Sequence, residues 1–301
     1  MVAARDDGVR AVDDEDPTVI FLHIGKTAGS TMRQVLRKQF RPSETMVVRS
    51  PVRDPKRLRR EETLAYFAGL PEAERGRARL ILGHTIFGLH EHIPRPSTYV
   101  TLLRDPVSLV LSLYYYVRRT PGHWLYETAR QMSLDEYVRS GLSLETDNSQ
   151  ARAISGDTST EFGRCTTTML ETAKRNIDDR FAVVGLAERF DETLILLGKA
   201  FGWSKLAYVR ANVAPKNQRR EVSSASREAI ERQNALDREL YTDMTRAFDR
   251  RVETDPTFDR NLRRLQRDNT LYRPWGHLTH TIPRRLQSKI APRGRAPVED
   301  A

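Results

Sequence analysis

The chain has 301 residues, 39% of them hydrophobic and 30% charged, with 50 Lys and Arg against 40 Asp and Glu for a formal net charge of +10. That length supports one large α/β domain or two small ones, and no apolar run approaches the roughly 18 residues of a membrane-spanning helix. The single cysteine, Cys165, excludes an internal disulfide framework and any multi-cysteine metal site.

Residues 1–16 are polar and acidic, without the apolar core of a secretory signal, and are expected to be disordered in a cytoplasmic protein. Thr18–His23 reads as a first strand and 30–39 as a helix with Met32, Val35, Leu36 and Phe40 on one face. Residues 41–60 are basic and punctuated by proline, and read as an exposed loop. Short helices follow over 60–68 and from Pro71, then a strand from Arg79 to Leu82. Thr98–Leu103 is a β-branched and aromatic strand. Asp105-Pro106 then supplies an N-cap and a first-turn proline for a helix to Arg119.

Beyond a loop over 120–133, short helices are expected over 134–139 and 147–155, a loop over 156–166, and a helix over 167–177. Phe181–Gly185 is an apolar strand, Glu188–Phe201 an amphipathic helix, and 226–248 one long helix or two. After Phe258 the chain is basic and loosely patterned. The expected organisation is therefore a disordered segment over 1–16, a domain over 17–258 and a basic C-terminal extension over 259–301. Strands alternating with helices imply a parallel sheet covered on both faces.

Two segments carry chemistry. In V-I-F-L-H-I-G-K-T-A-G-S-T a buried strand runs into a glycine loop with one lysine, Lys26, and then into a helix N-terminus. Unpaired first-turn N–H groups and a cation make this an anion site. It is not a Walker A loop, because Ile20 stands where that motif needs its first glycine. The second segment is L-L-R-D-P-V-S-L-V-L-S, which sets Arg104 at the carboxyl end of a strand and Ser112 about two turns into the next helix. Ligands of open α/β sheets bind at that edge, and a guanidinium and a hydroxyl there can hold one phosphate. Each segment alone is equally consistent with an ordinary turn or a local ion pair. The arginine-rich balance fits an anionic partner, but no zinc-finger, RRM or KH pattern points to nucleic acid.

H-I-G-K-T-A-G-S-T resembles the 5′-phosphosulfate loop of sulfotransferases that use 3′-phosphoadenosine 5′-phosphosulfate (PAPS). It is most similar to the H-I-P-K-T-G-G-T-S form of the carbohydrate branch that includes heparan sulfate 2-O-sulfotransferase. R-D-P-V-S-L-V-L-S resembles that family's 3′-phosphate motif, R-x-P-x-x-R-x-x-S. G-H-T at 83–85, D-N-S-Q-A-R-A-I-S-G at 147–156 and E-R-F-D-E-T-L-I-L-L at 188–197 extend the resemblance over roughly 18–250.

The resemblance implies a P-loop-NTPase-like three-layer sandwich, a central parallel sheet with helices on both faces. It implies that Gly25, Lys26, Thr27, Ala28, Gly29, Ser30 and Thr31 wrap the 5′-phosphosulfate, with Lys26 acting on the bridging oxygen and no metal required. Arg104 and Ser112 would hold the 3′-phosphate. His84, in the family's place for a histidine base, would take the acceptor proton. Asp147, Asn148, Gln150 and Arg152 would line the acceptor side, and the acceptor would be a carbohydrate hydroxyl. The family's proline is Gly25 here and its second 3′-phosphate arginine is Leu109, with Arg118, Arg164 or the basic tail as substitutes. The eukaryotic Golgi relatives carry a membrane anchor, so a bacterial, cytoplasmic form is expected.

His23 borders the loop, where its family counterpart is structural. His90 and His92 lack a third ligand for a metal. Tyr114–Tyr116 and Trp124 are suited either to stacking on a sugar or to packing the core. Two other functions compete: a Mg-ATP small-molecule kinase with a degenerate phosphate loop, and a non-catalytic polyanion binder.

Overall fold

A computed structural model describes residues 17–48, 60–83, 86–211 and 222–276. Its centre is a five-stranded sheet of β1 (Thr18–Leu22), β2 (Thr45–Val48), β3 (Leu80–Gly83), β4 (Ser97–Leu103) and β5 (Phe181–Leu186). All strands run parallel in the order β2-β3-β1-β4-β5. Every residue of β1 and of β3 is buried, as a sheet covered on both faces requires, so these strands read as continuous apolar runs.

The helices are α1 (Gly29–Arg37), α2 (Arg60–Ala68), α3 (Glu72–Arg77), α4 (Pro106–Arg119), α5 (Tyr126–Gln131) and α6 (Leu134–Arg139). They continue with α7 (Ser149–Ser155), α8 (Thr167–Arg180), α9 (Phe190–Phe201), α10 (Ser224–Gln233), α11 (Ala235–Glu253) and α12 (Phe258–Gly276). From β1 the chain goes out to the edge strand β2, returns to β3 between β2 and β1, then crosses to β4 and β5 on the other side. The order therefore reverses at β1 and β4, and the crevice at their carboxyl ends is the topological switch point where such sheets bind ligands. The glycine loop leaves β1 there, and Arg104 leaves β4 there.

The four strands expected from the sequence are present, and a fifth was not expected. Thr45–Val48 forms the edge strand β2 within the stretch read as a loop. It is short and only Val48 is fully buried, so it carries little apolar signal. α5 likewise lies inside an expected loop. The basic stretch after Phe258 is helical as far as Gly276, where α12 packs on α9 and buries Phe258 and Leu265 in the main core. The expected boundary at 258 thus falls at the start of a core-packed helix. Residues 1–16 and 277–301 lie outside the described residues.

Two close fits fix the site's supports. Gly29 opens α1 directly against the buried His23 ring, which stacks on Phe21 with centroids 5.4 Å apart. A β-carbon on Gly29 would lie 1.8 Å from His23 Nε2. At the other support, the N-termini of α7 and α11 cap each other. The Asp237 carboxylate accepts the Gln150 and Ala151 N–H groups at 3.1 and 2.7 Å. Asn148, held at a left-handed φ of 50°, returns the bond: its Oδ1 accepts the Leu236 and Asp237 N–H groups at 3.0 and 3.1 Å. Orphan helix donors are thus satisfied reciprocally by side chains.

Gly29→Ala is expected to destabilise the fold by about 1–3 kcal/mol, the range for overpacking a filled site; an unchanged urea midpoint would show that His23 yields freely. Burial pushes the Asp237 carboxyl up to about 6, against the pull of the two N–H groups. An acid with a raised folded pKa contributes most when protonated, so its contribution fades as pH rises from 3.8 through about 6. Asp237→Asn, neutral throughout, should therefore gain on wild type across that interval and run parallel above it. Paired urea titrations at several pH values would reveal a pH-independent difference if this assignment is wrong.

Candidate active site

The two anion motifs meet through a hydrogen bond. Arg104 Nη1 donates to the Lys26 carbonyl at 2.8 Å. Lys26 and Ala28 both adopt left-handed φ values, 63° and 67°, which curl the loop so that its amides face inward as an anion nest. No side chain caps α1; the Thr31 and Met32 N–H groups turn back onto the Ala28 carbonyl at 3.0 and 3.1 Å, and a helix N-terminus of this kind favours an anion.

Within the loop the hydroxyls divide. Thr27 is buried and donates to the Ile24 carbonyl at 2.8 Å, so its hydroxyl proton is spent on the loop itself. Thr31 Oγ1 accepts from the Ala211 N–H at 3.1 Å and keeps its own proton to give. Ser30 is half-buried at the start of α1. Gly25 lies against Glu145, presented by a 3-10 turn over Leu144–Thr146. A β-carbon at 25 would sit 3.2 Å from Glu145 Oε1. Gly25, unexplained in the sequence, is thus where the loop makes room for a carboxylate.

The Lys26 ammonium lies 3.6 Å from the centre of the Tyr116 ring, a cation–π contact. Burial pushes its pKa down to about 8; Arg119 and Arg104 push the same way, and Glu145 opposes them. Burial raises the Glu145 carboxyl, with Lys26 and Ser143 pulling it back. Lys26 therefore stays mostly cationic at neutral pH, but in a site that supplies little solvent screening.

Arg104 is half-buried, and burial lowers its pKa against the opposing pull of Glu188, 3.7 Å away, and Asp105. Its main chain is gripped on both sides by one amide: Gln150 Oε1 accepts the Arg104 N–H at 2.8 Å, and Gln150 Nε2 donates to the Arg104 carbonyl at 2.9 Å. Asp105 caps α4 by accepting the Ser108 N–H at 2.8 Å, as its position before Pro106 requires. Ser108, Ser112 and Tyr116 follow at four-residue intervals along α4 and so share a face. Tyr116 touches Lys26, so this face of α4 ends at the loop.

Leu109 points elsewhere and is buried in the core, where an arginine has no room. Of the expected substitutes, Arg118 is occupied: one of its nitrogens donates to Tyr114 Oη and to the Ala129 and Met132 carbonyls. Arg164 is exposed.

The four residues read as the acceptor side hold the frame. Arg152 is fully buried and bridges Asp147 at 2.6 Å, while also donating to the Asp147, Thr160 and Glu161 carbonyls. Asn148 caps α11 and Gln150 clamps Arg104, so their polar atoms serve the protein's own backbone. Asp147 and Asn148 also border a cavity of about 310 Å³ with Arg139, Cys165 and Gln233. His84 lies outside the described residues; the chain reaches it from Gly83, the last residue of β3. His90 Nδ1 is 3.0 Å from Tyr99 Oη, in a structural contact. Among the described residues no group of three or more His, Cys, Asp or Glu side chains is arranged to hold a metal, and no helix is long and apolar enough to cross a membrane.

Comparison with known proteins identifies relatives of this chain. A family model described as galactose-3-O-sulfotransferase matches residues 8–273. Galactose-3-O-sulfotransferase 3 of Bos taurus is 29% identical over 251 residues, covering 78% of this chain and 57% of the relative. Galactose-3-O-sulfotransferase 2 of Mus musculus is 24% identical over 247 residues, covering 76% and 61%. Uronyl 2-sulfotransferase of Mus musculus is 25% identical over 201 residues, covering 60% and 47%. The chain spans a little over half the length of the first of these relatives. With a family model matched across most of its length, and both anion motifs joined at the sheet's switch point, the chain belongs to the galactose-3-O-sulfotransferase family of carbohydrate sulfotransferases.

Proposed function

We propose that this protein transfers a sulfuryl group from PAPS to a hydroxyl of a carbohydrate acceptor. The observation that carries the reading is the Arg104–Lys26 hydrogen bond, which holds a strand-end guanidinium and a lysine-bearing anion loop at one crevice. A donor with charge at both its 5′ and 3′ positions suits two cationic sites joined in this way. The family match, and relatives that are galactose-3-O- and uronyl 2-sulfotransferases, support sulfuryl transfer to a carbohydrate.

The residues divide by role. The loop amides from Gly25 to Thr31 hold the sulfuryl end. Arg104, with the Ser112 hydroxyl, holds the 3′-phosphate. Sulfuryl transfer resembles phosphoryl transfer: an in-line displacement in which positioning and fixed charge carry most of the rate. The Lys26 ammonium stabilises negative charge on the oxygen that leaves sulfur. His84 takes the acceptor hydroxyl proton, the general-base role to which imidazole is suited at neutral pH.

Isothermal titration should detect adenosine 3′,5′-bisphosphate binding without added magnesium, and its absence from well-folded protein would overturn the reading. Lys26→Ala and His84→Ala should each lose at least about a hundredfold in kcat with unfolding midpoints preserved. The pH profile separates the two groups. Because the free protein's Lys26 titrates at about 8, kcat/KM for the donor should fall as pH rises through that value. Lys26→Arg should abolish this basic limb, even where its rate is lower. A limb that stays in place in the arginine variant would assign it to another group.

A further inference from the structure

We propose that Tyr116, His123 and Trp124 form the acceptor subsite, a platform that seats two consecutive sugar rings beside Lys26. The inference rests on the sulfotransferase reading above and goes beyond it by naming the surface and the size of the acceptor.

Tyr116 marks the end of the platform nearest the chemistry, since its ring faces the Lys26 ammonium at 3.6 Å. The His123 ring stands 5.9 Å from Tyr116, nearly perpendicular at 87°. The Trp124 indole follows 6.0 Å beyond, stacked at 24° to His123. All three side chains are only partly buried, unlike Tyr114 and Tyr137 of the same region, which complete the local core. Tyr116 and Trp124 pack on that core cluster, so the rings are held in place and little rotamer freedom is lost when a ligand stacks on them.

The chemistry matches a pyranose. Its C–H face is apolar and slightly electropositive, and suits the negative face of an aromatic ring, while its rim carries hydroxyls that need partners. His123 supplies one. Its Nδ1 accepts the Leu125 N–H at 3.1 Å, so the neutral ring carries its proton on Nε2 as a hydrogen-bond donor. Burial and the nearby Lys26 charge both push the imidazole pKa down and keep it in that neutral form. A donor fixed in this way orients a hydroxyl and does not serve as the base.

The rings lead away from Lys26 in two centroid steps of 5.9 and 6.0 Å, the first edge-on and the second face to face, so the aromatic surface extends beyond the reach of one pyranose. The ring to be sulfated would lie at Tyr116 and His123, next to Lys26. The ring before it in the chain would stack on Trp124. A platform of this length fits a disaccharide or longer acceptor better than a monosaccharide.

The test uses the full chain, labelled PAPS, and matched pairs of methyl monosaccharides and disaccharides with the same terminal ring, galactosides among them. In Trp124→Ala, KM for the disaccharide should rise tenfold or more. KM for the monosaccharide and the affinity for adenosine 3′,5′-bisphosphate should stay within twofold. Trp124→Phe should recover most of the disaccharide affinity. His123→Phe, which keeps a ring and removes the donor, should raise KM for both acceptors. Equal effects of Trp124→Ala on both acceptors, or none on either, would overturn the two-ring platform. So would binding of the bisphosphate without sulfation of any sugar offered. Failure of the wild-type protein to bind the bisphosphate would instead remove the sulfotransferase reading itself.

Discussion

The hydrogen bond from Arg104 to the Lys26 carbonyl is the constraint on which the site depends. Arg104 ends β4 and Lys26 follows β1, and these neighbouring strands pair in register from Thr18 and Ser97 to Leu22 and Thr101. The sheet brings the two segments together, and the guanidinium then ties the loop's curl to the strand end. A carbonyl occupied in this way is one acceptor fewer left to repel an anion. In the proposed reading, one residue would serve the phosphate side through its charge and the sulfuryl side through its geometry.

That constraint is itself held from behind. Gln150 clamps the Arg104 main chain, Asp237 caps the helix that carries Gln150, and Asn148 caps the helix that carries Asp237. The buried Asp147–Arg152 pair anchors the same segment to the loop at Thr160 and Glu161. Breaking a buried pair by removing one partner is far more damaging than its net contribution suggests. Polar residues in D-N-S-Q-A-R that look like ligand contacts therefore form a second layer of support. They orient Arg104 without a surface of their own in the crevice.

The sheet was legible because β1, β3 and β5 are buried strands that read as largely apolar runs and β4 is rich in β-branched and aromatic residues. β2 was not, since a four-residue edge strand with one fully buried side chain has no such signature. α12 was missed for a related reason: its exposed basic residues dominate the pattern, and among its described side chains only Phe258 and Leu265 are buried. The anion loop and the Arg104–Ser112 segment were readable because their chemistry is local, a turn or a helix start with a cation. Glu145 and Tyr116 were not assigned to the loop, because their contacts with Gly25 and Lys26 depend on tertiary packing. The one local hint was Gly25 itself, a glycine in place of a proline. Asp147 and Arg152 misled in the other direction, because a sequence does not distinguish a charge facing a ligand from one buried against its partner.

Lys26 and Ala28 are ordinary L-residues held in left-handed backbone conformations, each disfavoured by about 1–2 kcal/mol. The cost of that curvature falls once, when the chain folds, and does not recur at each catalytic cycle. A cradle already bent to shape discriminates by fit: a tetrahedral group meets several amides together, whereas a planar carboxylate meets fewer. The same stiffness gives the cradle little capacity to relax, so under the proposed function any change of shape that accompanies product departure would fall to segments outside the loop.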